Sequence, residues 1–182
     1  MNEIASRSQL HMSFLRWALV CVSIILLCGI GSGILANSGY ENRWFAALSK
    51  PDFTPPGWVF GAAWTTLYIL LGLALAVVIG ARGARGRGLA ITMFVVQMVL
   101  NFAWSPLFFG AHEATLALYL LLVILLLSAV TACLFARIRM LAALLMLPYL
   151  AWLSFASFLS YEIHRMNPDA ESLVAPGIST QI

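Results

Sequence analysis

The sequence predicts an all-α integral membrane protein: a five-transmembrane-helix bundle in which a long first loop acts as a lid. Three observations predict it. Hydrophobic residues make up 62% of the 182 residues and charged residues only 9%, with a mean hydropathy of +0.95; soluble domains carry roughly 25% charge. The apolar residues fall into five runs of about twenty residues, the length that crosses a bilayer as a helix. No Asp, Glu, Lys or Arg stands in the middle of any run.

Met1–Ser13 is polar and reads as an extension ahead of the bundle. Phe14–Ala36 is the first span. Its apolar run exceeds the roughly 7–15 residues of a signal-peptide core, so it is kept as a membrane helix. Gly29 and Gly33 form a Gly-x-x-x-Gly face, a pattern that admits close helix approach. Asn37–Pro56 is the first loop, long enough to fold across the mouth of the bundle. Pro51, Pro55 and Pro56 stiffen its end by fixing φ and pushing the preceding residues out of the α region. Pro56 also suits a helix start. Gly57–Gly80 is the second span, and there Phe60, Trp64 and Tyr68 recur every four residues and share one face.

Ala81–Gly88 is short and basic, with Arg82, Arg85 and Arg87 among glycines. Leu89–Phe109 is the third span, and Pro106 predicts a kink or loosening near its end. Thr115–Ala136 is the fourth, Arg137 and Arg139 mark a tight turn, and Leu141–Tyr161 is the fifth. Residues 167–182 form a polar tail with Pro168, Pro176 and Gly177 and are expected to be disordered. Short connections after the second, third and fourth spans predict that sequential helices pack as antiparallel neighbours.

Five spans place the termini on opposite sides. Arg7, Arg16, Arg82, Arg85, Arg87, Arg137 and Arg139 fall on one side; Arg43, Lys50 and Arg165 fall on the other among acidic residues. The excess of arginine puts the N-terminus in the cytoplasm and the first loop outside. The net charge of +3 is spread over loops without basic–aromatic interleaving, so nucleic acid is not an expected partner. Cys21, Cys28 and Cys133 all lie in apolar runs and form no Cys-x-x-Cys pair, and His11, His112 and His164 sit outside the spans or at their ends. No metal site is read from these residues.

The residues left to carry function are aromatic or neutral and polar. On the third span Gln97, Asn101, Trp104, Ser105 and Phe108 collect on one face. Two readings of Asn101 stay open: a ligand contact, or an interhelical hydrogen bond of about 0.6–2 kcal/mol that glues the bundle. On the fifth span Pro148, Tyr149, Trp152, Ala156 and Ser160 share a stripe. Trp17, Trp44 and Trp58 lie near span boundaries, where indoles anchor membrane proteins in any case. Trp64, Trp104 and Trp152 sit deeper, beside polar groups. Ion-coupled transport usually needs an intramembrane ionisable residue, and none is present. An aromatic cavity with a few neutral hydrogen-bonding groups suits a flat, largely apolar ligand with a polar edge.

Three motifs then carry a resemblance. Lys50-Pro51…Pro55-Pro56-x-Trp58-Val59-Phe60-x-x-x-Trp64-x-x-Leu67-Tyr68, Gln97-x-x-x-Asn101-x-x-Trp104-x-Pro106-x-Phe108-Phe109-Gly110 and Pro148-Tyr149-Leu150-Ala151-Trp152-x-x-Phe155-Ala156 resemble, in order, those of the TspO/translocator protein family. The resemblance runs from about Leu27 to Arg165. It implies a five-helix bundle of the bacterial cell envelope, often a homodimer, that binds tetrapyrroles such as protoporphyrin IX or haem and, in some members, cholesterol. The porphyrin or haem is a ligand, and no cofactor is expected to be required. Carried over by motif, the implied ligand-binding residues are Phe45, Trp64, Tyr68, Asn101, Trp104, Tyr149, Trp152 and Ala156, with Arg43 and Lys50 in the lid pairing propionates. The chain departs from the family pattern at Phe45, where Tyr is usual, and at Ser160, where Asn is. Three functions follow from the resemblance: a sensor or regulator; light-dependent porphyrin breakdown with Trp64 and Trp152 as reaction partners and no other catalytic residue; and a passive conduit for porphyrin or sterol.

Overall fold

The computed structural model describes residues 7–173. Among these residues it is helical and has no strand. Five helices are long and apolar enough to cross a membrane: α1 (Arg7–Leu35), α3 (Gly57–Gly80), α4 (Arg87–Ser105), α5 (Ala114–Ile138) and α6 (Met140–Met166), with the short α2 (Arg43–Ala47) in the first loop. The chain is an integral, multi-pass membrane protein.

Helix α1 begins at Arg7, so residues 7–13, expected to precede the bundle as a polar extension, continue the first span as helix. Residues 1–6 lie outside the described residues. The end of α1 is a left-handed turn: Asn37 has φ 48°, and the Ser38 amide donates to the Gly33 carbonyl at 2.9 Å, which satisfies a carbonyl otherwise orphaned at the helix end. Pro106 has no N–H to offer the α4 ladder, and α4 passes there into a π-helical turn, Pro106–Gly110, closed by the Ala111 amide on the Pro106 carbonyl at 2.8 Å.

The helices close in the order α1–α3–α6–α5–α4, with α4 returning to α1. This corrects one expectation. Despite the short link between them, α3 and α4 touch only sparsely; α3 packs chiefly on α1 and α6. The link, with Gly83 and Gly86 at φ 80° and 77°, reverses the chain without dictating which face each helix presents.

The Gly-x-x-x-Gly face is also used differently from its simplest reading. Gly29 makes room for the ring of Tyr68, and nothing but the distant Ser38 hydroxyl approaches Gly33. The close crossing of α1 and α3 belongs instead to Gly72, where a Cβ would stand 2.7 Å from Val22 Cα and 2.8 Å from its backbone nitrogen.

The first loop folds over one end of the bundle. Asn42 caps α2 by accepting from the Phe45 amide at 3.0 Å, and its Nδ2 donates to the Phe109 carbonyl at 3.0 Å, tying the loop to the π turn. Trp44, Phe45 and Leu48 are buried against Phe108, Leu159 and Ile163 in a second, smaller apolar core. His112 stacks on Trp44, with ring centroids 4.6 Å apart.

The tail departs from expectation as far as it is described. Residues 167–173 are ordered against the loop. Asn167 exchanges two hydrogen bonds with the Ser49 backbone at 2.8 Å, Trp44 Nε1 donates to the Ala170 carbonyl at 2.8 Å, and Ala170 is buried. Glu171 accepts from the Thr115 amide at 2.9 Å, in the first turn of α5, where backbone N–H groups lack helical partners. That bond holds the Glu171 carboxyl below its usual range. Polarity alone predicts disorder; the docked side chains and the indole acceptor override it. Residues 174–182 lie outside the described residues.

Candidate functional site

A cavity of about 490 Å³ opens beneath the lid among α1, α3, α4 and α6. Helical spacing brings its aromatic wall together. On α3, Trp64 leans on Tyr68, with centroids 5.3 Å apart, and the Phe60 ring meets Trp152 of α6 edge-on at 5.8 Å. On α4, Trp104 lies parallel to Phe108 at 5.0 Å and donates its Nε1 to the Ala117 carbonyl at 3.0 Å. The three deep indoles therefore share one cavity, and no residue lining it is charged. Six of the lining residues, Ile30, Ser38, Tyr40, Gly57, Gly61 and Thr65, are exposed, so the cavity opens both sideways between α1 and α3 and under the first loop. Trp152 also lines a shallower apolar groove on the outer seam of α3 and α6, with Trp58, Ala62 and Pro148.

Of the residues singled out from the sequence, Phe45, Trp64, Tyr68, Asn101, Trp104, Trp152 and Ala156 line the cavity. Tyr149 does not: it is fully buried behind the wall. There it belongs to a hydrogen-bonded chain across four helices. Tyr68 Oη donates to Asn101 Oδ1 at 3.1 Å, Asn101 Nδ2 to Tyr149 Oη at 3.1 Å, and Tyr149 Oη to Gln97 Oε1 at 2.9 Å, where Ser128 Oγ also donates at 3.0 Å. Asn101 thus holds helices together with both ends of its amide.

Arg43 and Lys50 do not reach the cavity. Arg43 is exposed on α2. Lys50 Nζ donates to the carbonyls of Leu48 at 2.9 Å and Ala46 at 3.4 Å and sits 4.6 Å from the centre of the Phe45 ring. Partial burial pushes its pKa below the usual lysine value. The lid's cation is therefore occupied with its own loop, and the propionate contact expected from the resemblance has no support in this geometry.

Sequence reasoning left out Tyr40, Phe60, Phe108, Phe109, Leu159, Ser160 and Ile163 as ligand contacts, all of which line the cavity. Phe60, Phe108 and Ser160 stood on the right stripes and could have been included. Phe109 enters because the π turn after Pro106 widens the helix by one residue, which plain α periodicity does not anticipate. Tyr40 is placed by the loop, where its hydroxyl donates to the Pro55 carbonyl at 2.8 Å.

Comparison with known proteins points to a single family. The model of the TspO/MBR family matches residues 21–166. The "Tryptophan-rich protein TspO" of Chlorobaculum tepidum is 33% identical over 150 residues, covering 82% of this chain and 94% of that protein. The "Tryptophan-rich sensory protein" of Cereibacter sphaeroides is 35% identical, covering 83% and 92%. The human "Translocator protein" is 37% identical, covering 77% and 83%. With the match running from the middle of α1 to the end of α6, the chain belongs to the TspO/MBR family.

Proposed function

We propose that the protein is a membrane receptor for a tetrapyrrole of the protoporphyrin IX or haem class, which it senses or regulates by holding the ring inside the bundle. The observation that carries this reading is the convergence of Trp64, Trp104 and Trp152 on one uncharged cavity of about 490 Å³, within the roughly 300–1,000 Å³ typical of small-molecule sites. Stacking on indoles rewards a flat ring system, and the sideways opening suits a ligand that arrives from the acyl chains. Two relatives carry the names "Tryptophan-rich sensory protein" and "Translocator protein", in keeping with a ligand that is sensed or moved. No carboxylate, histidine, lysine, arginine or cysteine lines the cavity, and its two phenols, Tyr40 and Tyr68, donate to the Pro55 carbonyl and to Asn101, so binding is the better reading.

The test is a titration with protoporphyrin IX, followed by quenching of tryptophan fluorescence. Trp64→Ala and Trp152→Ala are each expected to weaken binding about tenfold or more, the scale of one lost aromatic contact and its buried area. Trp17→Ala, at the far boundary of α1, is expected to leave affinity unchanged. Equal affinities in all three variants would remove the cavity from the account.

A further inference from the structure

The two ends of the bundle differ in charge. Every acidic residue among the described ones lies at the lid end, in the first loop, the α4–α5 link, the end of α6 or the segment beyond it. The opposite end carries Arg16, Arg82, Arg85, Arg87, Arg137 and Arg139 and, among the described residues, no acid. Arg87 is partly buried and the other five are exposed. At the lid end Arg165 pairs with Glu162 at 2.6 Å and Lys50 donates to its own loop. None of the six arginines has a side-chain hydrogen bond or ion pair within the described residues.

The helix packing sets these cations at one level. Phe94 stacks on Phe135 with ring centroids 5.6 Å apart, which fixes the register of the antiparallel α4 and α5. From that pair Arg87 lies about 10 Å along its helix, and Arg137 and Arg139 lie about 3 Å and 6 Å along theirs, toward the same end. The crossing of Gly72 on Val22 fixes α1 against α3 in the same way. Arg16 stands about 9 Å from it, and α3 ends about 12 Å from it at Gly80, two residues before Arg82. Long side chains that snorkel even out differences of this size. The links are short, residues 81–86 between α3 and α4 and Arg139 alone between α5 and α6. The arginines therefore sit where the apolar spans stop, at the depth of the lipid headgroups, and these links build no soluble layer for a protein partner to grip.

We infer that this face binds the phosphate groups of anionic phospholipids through its arginines. A guanidinium meets a phosphate with two parallel N–H donors, where a lysine offers only a point charge. The rule that orients membrane proteins counts lysine and arginine alike, yet the single lysine of this chain is Lys50, in the first loop, and every cation on this face is arginine. The inference goes beyond the cavity and does not depend on what fills it.

The experiment places the full chain in phosphatidylcholine vesicles with a trace of spin-labelled phosphatidylglycerol or spin-labelled phosphatidylcholine, and reads the fraction of label that the protein immobilises. At low salt the parent is expected to prefer phosphatidylglycerol about fivefold or more, the worth of one arginine near an anionic headgroup, and to approach parity at molar salt. Arg82→Gln/Arg85→Gln/Arg87→Gln and, separately, Arg137→Gln/Arg139→Gln are each expected to cut the preference about twofold or more. Arg43→Gln, at the lid end, is expected to leave it unchanged. No preference in the parent, a preference indifferent to salt, or an equal fall in Arg43→Gln would overturn the inference, and the salt arm needs no variant to fold. Inorganic phosphate at constant ionic strength is expected not to displace the labelled lipid; displacement would overturn the lipid assignment in favour of the free ion.

Discussion

Asn101 sits where two tyrosines from different helices need it. Its Oδ1 accepts from Tyr68 and its Nδ2 donates to Tyr149, so one amide joins α3, α4 and α6. Replacing it with alanine leaves two buried hydroxyls without that partner, and an unmade bond of this kind costs about 1–3 kcal/mol. Asn101→Ala is accordingly expected to lower thermal stability in detergent, with a larger effect than Tyr68→Phe, which removes a single donor. A melting temperature equal to the parent's would show that water replaces the amide. The position of Asn101 on a polar stripe was legible in the sequence, and so was the choice between ligand contact and glue. The structure shows the glue and also places Asn101 on the cavity wall, whereas Tyr149 lies behind that wall, and no spacing rule states which of two stripe residues faces inward. Arg43 and Lys50 were misplaced for a related reason. Charge shows which residues want an anion, but Lys50 donates to the loop carbonyls of Ala46 and Leu48 and lies over the ring of Phe45 rather than lining the cavity.

At the scale of the element, membrane helices gain little from hydrophobicity against one another and depend on close backbone contact. For α1 and α3 that contact is Gly72 on Val22. Gly72→Leu is expected to force the two helices apart and destabilise the protein by about 1–3 kcal/mol, as overpacking does. Gly33→Leu, with open space before it, is expected to be milder. Reversed severity in a thermal-unfolding assay would refute this view of the crossing. A glycine pair four residues apart is easy to find in a sequence. A single glycine such as Gly72 carries no such flag, because its role depends on the partner helix rather than on its own period. The π turn at Pro106 was half legible: the missing N–H announced a loosened helix, but not the extra residue that brings Phe109 round to the cavity.

The whole molecule was legible as five spans because length and hydropathy are properties of each helix alone. The order α1–α3–α6–α5–α4 was not, since it depends on which faces fit and the short α3–α4 link constrains only distance. Nor was the docking of residues 167–173, a segment beyond the stretch that the family shares. That docking makes the roof of the site responsive to acidity. Glu171 ties the chain's end to the first turn of α5, and its carboxyl is held below the ordinary carboxylate range. A depressed acid of this kind adds its share of stability at neutral pH; the share fades once the medium falls past the ordinary range and is gone below the lowered value. Hydrogen exchange at the amides of Ala170 and Leu173, corrected for intrinsic rate, is expected to quicken on acidification and to be fast at every pH in Glu171→Gln. Acidification therefore frees the segment from α5 and leaves its hold on the first loop to the Trp44–Ala170 and Asn167–Ser49 hydrogen bonds, which do not titrate.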